Sequence, residues 1–270
     1  VKTANNMPYT SINFNKKNIL ITGGAGFIGS NLVFYFQNNF PKANIVVFDS
    51  FRSDDRFLNG NLKSLGDFNN LVGFKGDIIC GNINSKDDLS LLDRYKFDYI
   101  FHQAAVSDTR VFDQEYIMKT NVNSFYAILD IAKKNDSALV YASSAATYGN
   151  NPSPQTVGHE NPLNPYGYSK YVMDQIANKF IRANPKMHII GLRYFNVYGP
   201  KEFYKGSTAS MIIQLGHQLL QGKPPRLFTD SKNILRDFIY VEDIVQANIK
   251  ACETSRYDIY NVGTGTPRSF

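Results

Sequence analysis

Tyr166 and Lys170, in the segment YGYSK, stand four residues apart just after NPLNP, a run that suits the start of a helix. On a helix that begins near Tyr166 the two side chains share one face, and Tyr168 points elsewhere. A phenol beside a fixed ammonium has its ionised form favoured, so its pKa is expected to fall from about 10 toward the working range of a general base. Many helices contain a Tyr and a Lys at this spacing, so the pair needs support from other residues. The turn ITGGAGFIGS offers it, with Gly23, Gly26 and Gly29 at three-residue intervals between an apolar strand and a helix that opens at Phe27 and Ile28. The first glycine allows the tight turn, the second lets the backbone approach a pyrophosphate, and the third lets helix pack on strand. A helix N-terminus presents free N–H groups and a positive dipole end to phosphates. Ser144, in YASSAATYG, follows the fifth strand and falls at the carboxyl edge of the sheet, where its hydroxyl can hydrogen-bond a substrate oxygen that becomes a carbonyl.

The elements that must position these residues alternate. Strands are expected at 18–23, 44–49, 74–80, 98–105, 138–145 and 187–199, and helices at 27–39, 115–134 and from Tyr166 onward. This βαβ pattern argues for an α/β fold with a doubly wound parallel sheet. From about Lys201 the chain changes to loops, a short strand at 236–241 and a helix near 242–254, read as a smaller substrate lobe. The domain reading is a polar leader at 1–17, a dinucleotide-binding domain at 18–200, and a partly interleaved substrate-binding lobe at 201–270. A further C-terminal helix is expected after the last residues, YNVGTGTPRSF.

Asp49 ends the second strand twenty residues after Gly29, where an acid binds the adenine-ribose hydroxyls. Its carboxylate repels a 2′-phosphate and favours NAD, but Arg52 and Arg56 follow closely and can offset that repulsion. NAD and NADP both stay open on these residues. Composition narrows the partners. The net charge of +6 favours acidic ones, yet no basic run exceeds two adjacent residues, which favours a phosphorylated small molecule over nucleic acid. Cys80 and Cys252 lie far apart without metal or redox spacing, which suits a reducing cytosol, and the four scattered histidines offer little to a metal. The leader lacks the apolar core of a signal peptide, and no apolar run approaches membrane-spanning length. A cytoplasmic protein, bound to no membrane and forming a homo-oligomer, is expected.

The glycine turn, Ser144, Tyr166 and Lys170 together resemble the extended short-chain dehydrogenase/reductase superfamily, with its Rossmann-type sheet. In that superfamily the tyrosine is the acid/base, the lysine lowers its pKa and holds the nicotinamide ribose, and the serine orients substrate. FHQAAVSDT, YASSAATYG, GLRYFNVYGP, EFYKGSTASM and RDFIYVEDI, spread over 19–270, further resemble the ADP-L-glycero-D-manno-heptose 6-epimerase family. That resemblance implies an isomerase with tightly held NADP, acting on an ADP-heptose for lipopolysaccharide synthesis. It implies Lys205 as a second acid/base. Asn196, Ser207 and Arg236 would contact substrate, with Phe228, Thr229, Asp230 and Ser231 near its nucleotide. Gln214 stands where some members carry a histidine that contacts substrate. Gln103, Ala104, Ala105 and Ser107 (the last also toward substrate), with Asn121 and Val197, would line the cofactor, Ser50 would join Asp49 there, and Arg56 would reach the phosphate.

Other functions are weaker. A 4,6-dehydratase needs an Asp-Glu pair where Ala145 and Ala146 stand. A UDP-hexose 4-epimerase shares Ser144, Tyr166 and Lys170 but needs no base at Lys205. A cofactor-binding sensor without turnover has no use for the acid/base set.

Overall fold

Short runs of Ile, Val and Phe build the sheet. The computed structural model describes residues 10–254 and 257–270; residues 1–9 of the polar leader lie outside the described residues. Strands β1 (Asn18–Thr22), β2 (Asn44–Asp49), β3 (Asp77–Cys80), β4 (Tyr99–His102), β5 (Ala138–Ser144) and β6 (Ile189–Tyr194) are all parallel, in the spatial order 3-2-1-4-5-6. A seventh parallel strand, β10 (Tyr257–Val262), pairs with β6 from Tyr257↔Ile189 to Val262↔Tyr194. It comes from the stretch read as substrate lobe, so 201–270 supplies a strand to the main sheet as well as a lobe.

Period-two alternation sends neighbouring strand residues to opposite faces. Ile19 and Ile21 of β1 pack under helices α1 (Phe27–Asn39) and α7 (Val241–Ala251), against Leu32, Val33, Ile244 and Ile249. Leu20 goes the other way, to Phe125 and Ile128 of α4 (Ser124–Asn135) and Met173 of α5 (Pro165–Ala183). Each of these side chains is fully buried, worth roughly 1.5–3 kcal/mol against exposure. Phe14 joins the first cluster, edge-on to Phe36 at 5.1 Å and Tyr99 at 4.7 Å, so the described end of the leader is packed into the core.

A short helix α2 (Lys86–Ser90) follows β3. The helix expected at 115–134 is interrupted: α3 (Gln114–Ile117) passes through a π turn, Met118–Asn123, into α4. The lobe holds a 3-10 segment at Phe203–Thr208, helix α6 (Met211–Leu220), β7 (Asn196–Tyr198) beside β9 (Phe238–Tyr240), and β8 (Leu235–Arg236) beside β11 (Arg268–Ser269). Among the described residues no helix is long and apolar enough to cross a membrane. The strand order reverses between β1 and β4, and at such a switch point a crevice opens beyond the carboxyl ends of the strands.

Candidate active site

That crevice is a cleft of about 1490 Å³, walled by the sheet edge on one side and the lobe on the other. Gly23 has φ +70°, and a Cβ there would meet the Ala104 amide at 2.7 Å; at Gly29 it would meet the Gly23 carbonyl at 2.2 Å. Neither position tolerates a side chain. Gly26 begins α1 with no side-chain cap, and Phe27 and Ile28 line the cleft, so the first turn of a thirteen-residue helix keeps its amides for an anion. This cradle fits the pyrophosphate of a dinucleotide.

On the adenosine side, the buried Asp49 carboxylate accepts the amides of Ala25 at 2.9 Å and Phe51 at 2.8 Å. Burial pushes its pKa up, and these two bonds pull it back. Ser50 lines the cleft and donates to Ser64 at 3.1 Å. The two arginines do not meet there. Arg56 donates to the Gly60 carbonyl at 2.8 Å and is not part of the cleft wall, while Arg52 pairs with Asp67 at 3.1 Å. The cation that lines the cleft beside Ser64 is Lys63, 5.1 Å from the Tyr116 ring. No motif marks Lys63 in the sequence.

Gln103, Ala104, Ala105 and Ser107 all line the cleft. The Gln103 side chain is held by Asn248 of α7 at 3.2 Å and by the Tyr194 hydroxyl at 3.2 Å, which leaves its backbone toward the opening. Asn121 is fully buried and stands behind the wall. Its amide bonds both the N–H and the C=O of Val106, at 2.8 and 3.0 Å, and donates to Ser169 at 2.9 Å. The π turn brings it there and leaves its neighbour Thr120 on the cleft surface.

The Asn164 side chain accepts the Gly167 amide at 2.8 Å and Pro165 takes the first helical position, so α5 starts one residue before Tyr166. Tyr166, Lys170 and Ser144 all line the cleft, and Tyr168 is exposed. Lys170 is 2% exposed and donates to the Ala142 carbonyl at 2.7 Å. Its burial lowers it to about 8, with Asp174 opposing. The Tyr166 phenol is pushed up by burial, while its hydrogen bond with Ser144 pulls it down. The expected fall is therefore reversed: desolvation outweighs the Ser144 hydrogen bond that lowers the phenol. One turn on, Asp174 takes Tyr141 at 2.8 Å, Ser143 at 3.0 Å and Arg193 through Nε at 3.0 Å and Nη2 at 2.8 Å. Arg193 also reaches Glu160 at 2.6 Å, so α5, β5, β6 and the 149–164 loop share one buried charge network.

Lys205 lines the same cleft from the lobe, with its ammonium 5.6 Å from the Phe27 ring. Burial lowers its pKa, and the carboxylates of Glu202 and Asp108 oppose that. Gly206 beside it adopts φ 56°, ψ −127°, a conformation suited to glycine. Asn196, Val197 and Arg236 join the wall, with Asn196 donating to the Asp237 carbonyl at 3.2 Å. The other lobe residues that the resemblance implies stand off it. Ser207 donates to Asn61 at 2.8 Å, Gln214 to the Ala209 carbonyl at 2.7 Å, and Phe228 packs on Phe270 at 5.8 Å at the head of 228–231, none of it in the wall.

A glycine cradle and a Ser/Tyr/Lys set thus share one cleft at the carboxyl edge of the sheet. Residues 19–263 match the model of the NAD dependent epimerase/dehydratase family. The chain belongs to that family. Among solved structures it is similar to the ADP-L-glycero-D-manno-heptose-6-epimerase of Helicobacter pylori, at 49% identity and a TM-score of 0.89, over 97% of this chain and 81% of that one. The UDP-glucose 4-epimerase of Thermotoga maritima, with UDP-glucose, is 27% identical with a TM-score of 0.81, over 93% and 78%. The UDP-glucuronic acid 4-epimerase of Bacillus cereus, with UDP-glucuronic acid and NAD, is 25% identical with a TM-score of 0.77, over 93% and 79%. This member of the NAD-dependent family is an epimerase, and its similarity to the Helicobacter pylori enzyme extends over nearly the whole chain.

Proposed function

We propose that this epimerase inverts the sixth carbon of an ADP-heptose, interconverting the D-glycero-D-manno and L-glycero-D-manno forms, with resident NADP, in the cytoplasm and for lipopolysaccharide synthesis. The observation that carries this reading is a second titratable base in the cleft: Lys205 on the lobe, as well as Tyr166 on α5. Substrate and product have the same oxidation state, so the reaction needs a hydride taken and returned, and no external oxidant. Bound nicotinamide supplies the hydride acceptor and donor. At an exocyclic carbon the two faces exchange by half a turn about one bond, which swings the oxygen from one base to the other. Ser144 and Tyr166 serve the oxygen in one orientation, and Lys205 in the other. Each takes the hydroxyl proton on oxidation or gives one back on reduction.

NADP is supported by Lys63 and the Ser50 and Ser64 hydroxyls at the adenosine end, and by the two amides that already occupy Asp49. The 49% identity to an ADP-heptose epimerase supports the substrate. The test is a panel of nucleotide sugars given to the purified protein without added cofactor. ADP-heptose epimers should interconvert, in heavy water, with no deuterium at the sixth carbon. Turnover of UDP-hexoses alone would make it a 4-epimerase, and deuterium at that carbon would replace hydride return with proton abstraction.

A further inference from the structure

Lys205 stands in a segment with little regular structure, so its place depends on what its neighbours are tied to. Arg52 Nη2 donates to the Tyr204 carbonyl, one residue before it, at 2.7 Å. Two residues after it, the Ser207 carbonyl accepts from Arg110 at 3.3 Å and the Ser207 hydroxyl donates to Asn61 at 2.8 Å. Arg52 makes the shortest of these three long-range ties, and its far end is anchored twice. Its Nη1 pairs with Asp67 at 3.1 Å, and its backbone amide donates to the Gly66 carbonyl at 2.8 Å. Asp67 is itself fixed: its amide donates to the Ala25 carbonyl at 3.0 Å, and Ala25 donates to Asp49 at 2.9 Å. Arg52 Nε is buried without a partner, so the guanidinium is aimed by Tyr204 and Asp67 at the expense of its third nitrogen position.

We infer that Arg52, which the sequence placed near a cofactor phosphate, is a positioning residue for Lys205: it clamps the Tyr204 carbonyl to Asp67 and so sets how the lysine enters the cleft. The second base is thereby fastened to the Ala25–Asp49 corner of the cofactor cradle, across 152 residues of chain. This rests on the two-base reading above. A misplacement of about 1 Å in a reacting group costs on the order of 100-fold in rate, which sets the scale of the effect.

The experiment is single-turnover reduction of bound cofactor by ADP-D-glycero-D-manno-heptose and by its L-glycero epimer. It is run on the full protein and on Tyr166→Phe, Lys205→Met, Arg52→Met, Arg52→Lys and Asp67→Asn. Arg52→Met should slow oxidation of the epimer that Lys205 serves about 10- to 100-fold and leave the other within about twofold. Arg52→Lys, which reaches Tyr204 or Asp67 but not both, should recover part of that loss, and Asp67→Asn should show a smaller loss on the same epimer. If Arg52→Met fails to fold, the last two variants read the same asymmetry. Equal slowing of both epimers by the Arg52 and Asp67 variants, or of neither, overturns the inference while leaving the two-base reading intact. If Tyr166→Phe and Lys205→Met do not divide the epimers between them, the two-base reading fails and takes this inference with it.

Discussion

Tyr166 and Lys205 face one cleft but are held there in opposite ways. Tyr166 rides on a nineteen-residue helix that Asn164 caps, that Lys170 ties to β5, and that Asp174 ties to β6 through Arg193. Lys205 rides on a kinked 3-10 segment whose fixed points, Arg52, Asn61 and Arg110, come from loops elsewhere in the chain. Regular structure places a side chain through many short-range bonds at once, so losing one moves it little. A loop places its side chain through a few long-range bonds, so losing one moves it much.

Removing either of the two side chains proposed as bases should have the largest effect. Tyr166→Phe and Lys205→Met should each lower epimerisation by about 10²–10⁴-fold, as expected for loss of an acid/base group. Each should block oxidation of one epimer and spare the other, read by stopped-flow reduction of bound cofactor. Epimerisation by Lys205→Met at the parent rate would leave a single-tyrosine enzyme.

Next in size is the scaffold beneath Tyr166. Asp174 and Arg193 are 0% and 1% exposed in their side chains, and removing one partner strands the other's charge in the interior. Asp174→Ala should cost about 3–5 kcal/mol of stability, measured by urea unfolding. The Lys205 loop has a more exposed ion pair among its supports: Arg110→Ala, in a pair half-exposed on the arginine side, should cost under about 1 kcal/mol. Equal losses would erase the distinction between the two regions.

The chemistry of Lys170 opposes stability, and pH shows it. Burial lowers this lysine to about 8 in the folded chain, against about 10.4 when unfolded. The unfolded chain then binds the proton more readily, so the penalty is fully present below pH 8 and fades as pH rises toward the unfolded value. Stability without cofactor should therefore rise between about pH 8 and 10.4, by an amount of order 3 kcal/mol attributable to this group. Lys170→Met should flatten that rise and stabilise the protein at pH 7, in urea titrations at each pH. A slope that survives the substitution assigns it to other groups, such as Lys205, whose pKa burial also lowers.

The contrast between the regions also explains what could be read in the sequence. The Tyr166 side is local: Asn164, Pro165, Tyr166 and Lys170 fall within seven residues, and the glycine turn and Ser144 sit at strand ends that apolar runs announce. The α/β parallel sheet followed from the same alternation. The helix at 115–134 was legible as a helix but not its π turn, because a six-residue segment is too short for apolar spacing to reveal a change of period, and that turn carries both Thr120 on the cleft and Asn121 behind it. Lys205 was reached only through family resemblance. Its supports were not legible at all, since Arg52 and Tyr204, or Arg110 and Ser207, meet only after the fold has formed. The partners of Arg52 and Arg56 were illegible for the same reason: backbone carbonyls and an aspartate, none visible as a partner in sequence, take their guanidinium groups.

The smallest test makes one substitution in each region. Gly167 follows Tyr166 in α5, and Gly206 follows Lys205 in the loop. In a free helix, alanine for glycine would stabilise by about 1 kcal/mol. At Gly167, however, an added Cβ would meet the Ala146 carbonyl oxygen at 2.5 Å, and that oxygen belongs to the backbone just after Ser144. The helix must lift from the 145–148 turn, which separates Tyr166 from Ser144. At Gly206 a Cβ meets nothing within 4 Å, so the cost is torsional alone: φ 56°, ψ −127° is strained for alanine by about 1–3 kcal/mol. A free loop would relax that strain by turning, and the ties at Tyr204 and Ser207 resist the turn. Gly167→Ala should therefore slow mainly the epimer served by Tyr166, with a lowered melting temperature. Gly206→Ala should slow the Lys205 epimer a few-fold, with a smaller thermal shift. If Gly206→Ala leaves both half-reactions unchanged, the loop absorbs the strain without moving its lysine, and Lys205 is held less tightly than its ties imply.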